Sequence, residues 1–300
     1  MKAWIAVCLL AIPVGLQAKG SESDYPRPEL LAEAAALLKT EAAKRYVILD
    51  ARKSKQYDVS RIPGAVWVDA AAWAKAFKDG KDAPGWSERI GGLGIAAGSS
   101  VAIYDNKDFN DAARIWWILR FWGVEDARLL SGNWTGWQKA GLPIEAGKPK
   151  PAAPARFAAR SDVKRLASKQ LLLDSLKQKS LQLVDARSEG EFCGVDLRKN
   201  KRAGAIPGAK HLDWIELIDK PTQRFKSPEQ LRKLFREAGI DLDRPSATYC
   251  QSGGRASVMA FAMELMGAKG VRNYYASWGE WGNDKDAPIV VPKREKPRSR

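Results

Sequence analysis

The chain repeats itself, and that repeat limits the fold more than any other feature. Tyr46-Val-Ile-Leu-Asp-Ala-Arg52 is matched by Leu181-Gln-Leu-Val-Asp-Ala-Arg187. Each is a short apolar run ending in Asp-Ala-Arg, the pattern of a buried parallel strand and the loop that leaves it. Ile-Pro-Gly-Ala follows in both copies, at 62–65 and at 206–209, and breaks the chain before a second short strand. Then come a helical stretch, a Gly-Ile pair (Gly94-Ile95 and Gly239-Ile240) and a third strand at Val101–Tyr104 and Ala247–Tyr249. An Ala-rich helix follows, Ala112 to Trp122 and Ala256 to Met266, and each copy closes on tryptophans three apart, Trp134/Trp137 and Trp278/Trp281. Strands alternating with helices predict an α/β fold, two similar domains each with a mostly parallel sheet flanked by helices.

The expected boundaries are 24–147 and 156–292. Between them, 148–155 is a Pro-rich segment that reads as an extended, semi-rigid linker. Residues 1–18 read as a signal peptide: Lys2 precedes an apolar run from Ala3 to Leu16, and Ala18 is a small residue at a plausible cut. The run is short for a transmembrane helix, although an uncleaved anchor stays open. This places the protein in the periplasm or outside the cell. Residues 293–300 form a basic tail. Fifty basic against 35 acidic residues leave a net charge of +15, which favours anionic partners. No nucleic-acid motif with interleaved aromatics accompanies that charge.

The copies differ at one place that carries chemistry. The third strand of the first copy ends in Tyr104-Asp105; that of the second ends in Tyr249-Cys250-Gln251-Ser252-Gly253-Gly254-Arg255. Ligands of open α/β sheets bind beyond the carboxyl ends of the strands. Gly253 and Gly254 let the backbone curl so that several N–H groups point inward, and the following helix adds its positive N-terminal end. Such a cradle favours the thiolate, the nucleophilic form of Cys250, and also holds an anionic substrate. Arg255 supplies a fixed positive charge. His211 is the one histidine, which excludes a histidine-rich metal site and makes a Cys–His dyad remote. Cys193 lies in an insertion that the first copy lacks; it reads as a bystander thiol, a redox partner of Cys250 or half of a disulfide.

These landmarks resemble the tandem rhodaneses, the thiosulfate and 3-mercaptopyruvate sulfurtransferases. They are Asp185-Ala-Arg187, Gly204 to Ala209, Ser227 to Arg232, the Cys250–Arg255 loop, and Ser277-Trp-Gly-Glu-Trp281. The resemblance implies two rhodanese-like domains, the first without a cysteine, with Asp105 in its place. It implies a small anionic sulfur donor and a thiophilic acceptor, with no cofactor and no metal. Cys250 becomes the catalytic nucleophile, and Gln251, Ser252, Gly253, Gly254, Arg255 and Arg187 become substrate-binding residues, Arg187 competing with a role as ion-pair partner of Asp185. Arg52 is expected to be structural. The tryptophans read as core residues rather than ligand stackers, with Trp278 and Trp281 close enough to the loop to wall the pocket. The loop lacks the Cys-Gly-Ser-Gly-Val-Thr of the mercaptopyruvate enzymes, which favours thiosulfate. Only four residues separate Cys250 from Arg255, a smaller loop than the five-residue spacing of the related phosphatases and too tight for a phosphoryl group.

Overall fold

The structure, a computed structural model, describes residues 24–38, 46–148 and 151–293. The expected signal peptide at 1–18, and all but Lys293 of the basic tail, lie outside these residues.

The first domain holds strands β1 (Leu31–Ala32), β2 (Tyr46–Asp50), β3 (Val66–Trp67), β4 (Ser100–Tyr104) and β5 (Asp126–Leu130), all parallel, in the order β1-β5-β4-β2-β3. The second holds β6 (Gln182–Asp185), β7 (Lys210–His211), a small antiparallel ribbon of β8 (Ile218–Asp219) with β9 (Arg224–Phe225), then β10 (Ser246–Tyr249) and β11 (Val271–Asn273). Its parallel sheet runs β11-β10-β6-β7. Strands β4, β6 and β10 are buried along nearly their whole length, as parallel strands covered on both faces are. In each sheet the chain order reverses beside the strand that precedes the variable loop, between β2 and β4 and between β6 and β10. That reversal opens a crevice at the strand ends.

The Ala-rich helices span Asn110–Phe121 and Gly254–Leu265, each starting two residues before the expected position. Their starts are set by N-cap residues in the left-handed region, Phe109 (φ 63°) and Gly253 (φ 85°), rather than by the first alanine. The second helix is buried at every position but Arg255. It is apolar all round because it is sandwiched between its own sheet and the other domain's helix. Trp116 meets Phe261 edge-on at 4.8 Å, and Phe109 stacks on Phe225 at 4.9 Å. Arg165 pairs with Glu264 through two 2.9 Å contacts beside this seam. One hydrophobic core therefore runs through both domains.

Candidate active site

Tyr249 ends β10, and Cys250 is the next residue, 1% exposed. Its N–H donates to Ser277 Oγ (3.1 Å), and the same hydroxyl lies 4.0 Å from Cys250 Sγ. Ser277 can stand there because it adopts φ 56° at the start of the helix Ser277–Trp281. Trp278 N–H donates to the Cys250 carbonyl and Gly279 N–H to that of Gln251, pinning the loop from outside. Among the described residues, the backbone N–H groups of Gln251, Ser252 and Gly253 donate to no protein group. With the first N–H groups of the helix Gly254–Leu265 they remain available to an anion. Gly253 is required twice over. Its φ of 85° disfavours a side chain, and a Cβ there would stand 2.7 Å from the Tyr275 ring.

The first domain builds the same cradle and fills it. Asp105 N–H donates to Asn133 Oδ1 (2.8 Å), and Asn133 has φ 55°, as Ser277 does in the second domain. Asp105 Oδ2 then accepts the N–H groups of Asp111 (3.0 Å) and Ala112 (3.1 Å) at the helix start. Its Oδ1 is buried without a partner. Burial pushes this carboxyl up to about 8, although the Ala112 and Asp111 N–H groups pull it down.

Arg255 is the one residue of its helix that is not buried, and both its terminal nitrogens are bound to Glu191, at 2.6 and 2.8 Å. Glu191 is buried in the short helix Glu189–Phe192 and also accepts from Ser188 and Arg198. Burial opposes its ionisation, but the Arg255 hydrogen bonds and charge, helped by Ser188 and Arg198, hold its carboxyl at about 2. Burial weakens the Arg255 cation, yet Glu191 and then the Cys250 sulfur overcome this and raise its pKa. Arg255 is thus held beside the loop by a carboxylate. Gln251 exchanges two hydrogen bonds with Asn200 (3.0 and 2.9 Å), tying the loop to the insertion.

Arg187 makes the ion pair with Asp185 that is one of its two expected roles. It is 1% exposed, and it donates to both Asp185 oxygens (Nη2–Oδ2 2.6 Å) and to the Gly204 carbonyl. Its guanidinium lies 4.3 Å from the Trp278 ring centre. Arg52 repeats this in the first domain, 2.6 Å from Asp50 and 4.1 Å from Trp134. The same arrangement exists in the domain where Asp105 stands in place of the cysteine, so the Asp-Ala-Arg motif is a fold element common to both domains. Trp278 and Trp281 are core residues, 1% and 0% exposed, bonded to the Arg202 and Pro288 carbonyls, and do not wall a pocket. Cys193 and Cys250 are both buried and are not joined as a disulfide. Cys193 lines a cavity of about 570 Å³ with His211, whose ring stacks on Phe192 at 4.5 Å.

Sequence reasoning missed Glu191, Ser277 and the contribution of the first domain. Arg114 of the helix Asn110–Phe121 donates to the Ser252 carbonyl (2.7 Å) and to Tyr275 Oη (2.8 Å). Tyr275 packs between Phe77 (4.7 Å) and Trp117 (5.3 Å) of the same domain. The Ser188-Glu-Gly-Glu191 capping box was the one local signal that Glu191 is fixed in place.

Fold and site together define a doubled α/β protein with a cysteine in an anion cradle in one half and an aspartate in the other. The rhodanese-like domain model matches residues 31–140 and 168–284, and the chain belongs to that family as a tandem-domain sulfurtransferase. The chain is 32% identical to the rat 3-mercaptopyruvate sulfurtransferase over 240 residues, 77% of this chain and 80% of that protein. It is also 32% identical to the Corynebacterium glutamicum thiosulfate sulfurtransferase, over 91% of this chain and 94% of that one. The crystal structure of an Escherichia coli 3-mercaptopyruvate sulfotransferase superposes with a TM-score of 0.73 at 26% identity, covering 84% of this chain and 99% of that one.

Proposed function

We propose that the protein moves a sulfane sulfur from thiosulfate, or a similar anionic donor, to a thiophile through a persulfide on Cys250. The observation that carries this reading is the contrast between the cradles. The first is filled by the Asp105 carboxyl group, whereas the second offers its N–H groups to whatever stands on Cys250. The Cys250 thiolate attacks the outer sulfur of thiosulfate; that S–S bond breaks and sulfite leaves with the bonding pair. The persulfide anion then sits among the loop N–H groups, stabilised as an oxyanion is in its hole. Cyanide or a thiolate takes the terminal sulfur and returns the electron pair to Cys250. No metal or cofactor has a step in this sequence.

Thiosulfate is preferred over mercaptopyruvate because Gln251-Ser252-Gly253-Gly254-Arg255 follows the cysteine in place of the Gly-Ser-Gly-Val-Thr of the mercaptopyruvate enzymes. Intact mass after incubation with thiosulfate tests the reaction: the full chain gains one sulfur that a reductant removes, and Cys250→Ser gains none. A gain in that variant refutes the assignment. A larger kcat/KM for mercaptopyruvate than for thiosulfate refutes the donor preference. We also propose that residues 1–18 export the protein, which the N-terminal mass of periplasmic material tests.

A further inference from the structure

The cysteine-free domain contributes more than a buttress. Its helix Ala70–Ala76 and its helix Asn110–Phe121 form one wall of a cleft of about 620 Å³, and the opposite wall includes Ser252, Tyr275 and Ala276. Ser252 is the exposed residue of the Cys250 loop. The ring of Tyr275 lies on Gly253, and the next residue but one, Ser277, holds its hydroxyl at Cys250 Sγ. The cleft therefore opens along the outer face of the catalytic loop.

Its charged lining is Lys75, Lys78, Arg114 and Asp111. Arg114 is committed to Ser252 and Tyr275, and Asp111 faces the charges of Arg114 and Lys53. Lys75, in the last turn of its helix, and Lys78, just beyond its end, are exposed and form no ion pair among the described residues. Two exposed ammonium groups thus line the cleft. Thiosulfate, with five heavy atoms, needs only the inner cradle. A space of this size suits a ligand several times larger.

We propose that this cleft binds the sulfur acceptor, and that the acceptor is a low-molecular-weight thiol bearing carboxylates, which Lys75 and Lys78 hold. The assignment rests on the sulfur-transfer reading of Cys250. The acceptor thiolate enters past Ser252 and attacks the terminal sulfur of the persulfide. The Cys250 S–S bond breaks, its electron pair returns to Cys250 Sγ, and the acceptor leaves as its own persulfide anion.

The test separates the half-reactions. Full-length enzyme is loaded with thiosulfate, freed of excess donor, and mixed in single turnover with glutathione, which carries two carboxylates, or with neutral 2-mercaptoethanol. In Lys75→Glu/Lys78→Glu the ratio of the glutathione to the 2-mercaptoethanol rate constant falls about tenfold, the scale of charge steering at a cleft mouth. In the unaltered enzyme that ratio also falls as salt rises from 0.05 to 0.5 M. Lys75→Ala/Lys78→Ala lowers it by a smaller factor and serves if the charge reversal does not fold. A ratio unchanged within twofold in both variants overturns the proposal. So does a raised thiosulfate KM with an unchanged ratio, which assigns the cleft to the donor. Failure of the unaltered enzyme to gain sulfur from thiosulfate instead overturns the underlying reading of Cys250.

Discussion

Replacing Glu191 with glutamine keeps the shape of the Arg255 partner and removes its charge. Held at about 2 instead of 4.5, the carboxyl contributes up to about 3 kcal/mol of stability at neutral pH. Solvent reaches the cluster through Arg198, which is 53% exposed, so about 1–3 kcal/mol is the expected loss. The sign follows from the depressed pKa. The contribution is complete above 4.5, where the unfolded carboxyl is ionised, and is lost as pH falls towards 2. Urea unfolding followed by tryptophan fluorescence should therefore show Glu191→Gln less stable at pH 7, with the gap to the unaltered protein closing between pH 5 and pH 3. The same change leaves the Arg255 charge uncompensated beside the cradle. One removed negative charge near a dianionic donor lowers the thiosulfate KM by roughly fivefold. A gap that stays constant from pH 7 to pH 3 would refute the ion-pair reasoning, and a raised KM would refute the claim that Glu191 competes with the donor for Arg255.

Asp105→Asn should flatten a different pH response. The folded carboxyl titrates at about 8 against 3.8 unfolded, so the folded chain keeps a proton that the unfolded one has lost, and stability falls as pH rises from 4 to 8. The amide removes that slope, and urea midpoints at pH 5 and pH 9 should then differ less than in the unaltered protein; an equal difference counts against a buried, raised carboxyl. Arg52→Met and Arg187→Met each leave a buried aspartate uncompensated and should cost about 3–5 kcal/mol alike. A thiosulfate KM raised tenfold in Arg187→Met but not in Arg52→Met would place Arg187 in the donor site.

What was legible in the sequence is what local pattern controls. The paired apolar runs, the Ile-Pro-Gly-Ala turns and the cysteine-to-aspartate difference placed the sheets and the strand ends, with Cys250 directly after β10. The helix starts slipped by two residues because Phe109 and Gly253 act through backbone conformation, which alanine content does not report. Glu191 stayed hidden because its partner lies 64 residues away, and Arg114 because Ser252 lies 138 residues away. Only the fold brings such pairs together. The ion-pair role of Arg187 was legible: Asp-Ala-Arg recurs in both copies, so the motif answers to a need both domains share, the anchoring of a strand end to Asp50 or Asp185.

That shared need explains why a domain without a cysteine is not idle. An anion cradle made of helix N–H groups must be either filled or left open. The first domain fills its own with Asp105, which caps the helix Asn110–Phe121 from within. A helix capped in this way is a fixed surface, and on it stand Arg114 and Trp117, the groups that hold Ser252 and Tyr275. The second domain leaves its cradle open, so its loop has fewer internal bonds and borrows its rigidity from outside: Ser277 and Trp278 on one side, Glu191 and Asn200 on another, and the first domain across the seam. The filled cradle thus fixes the helix of the first domain, and that helix in turn holds the open loop of the second through Arg114.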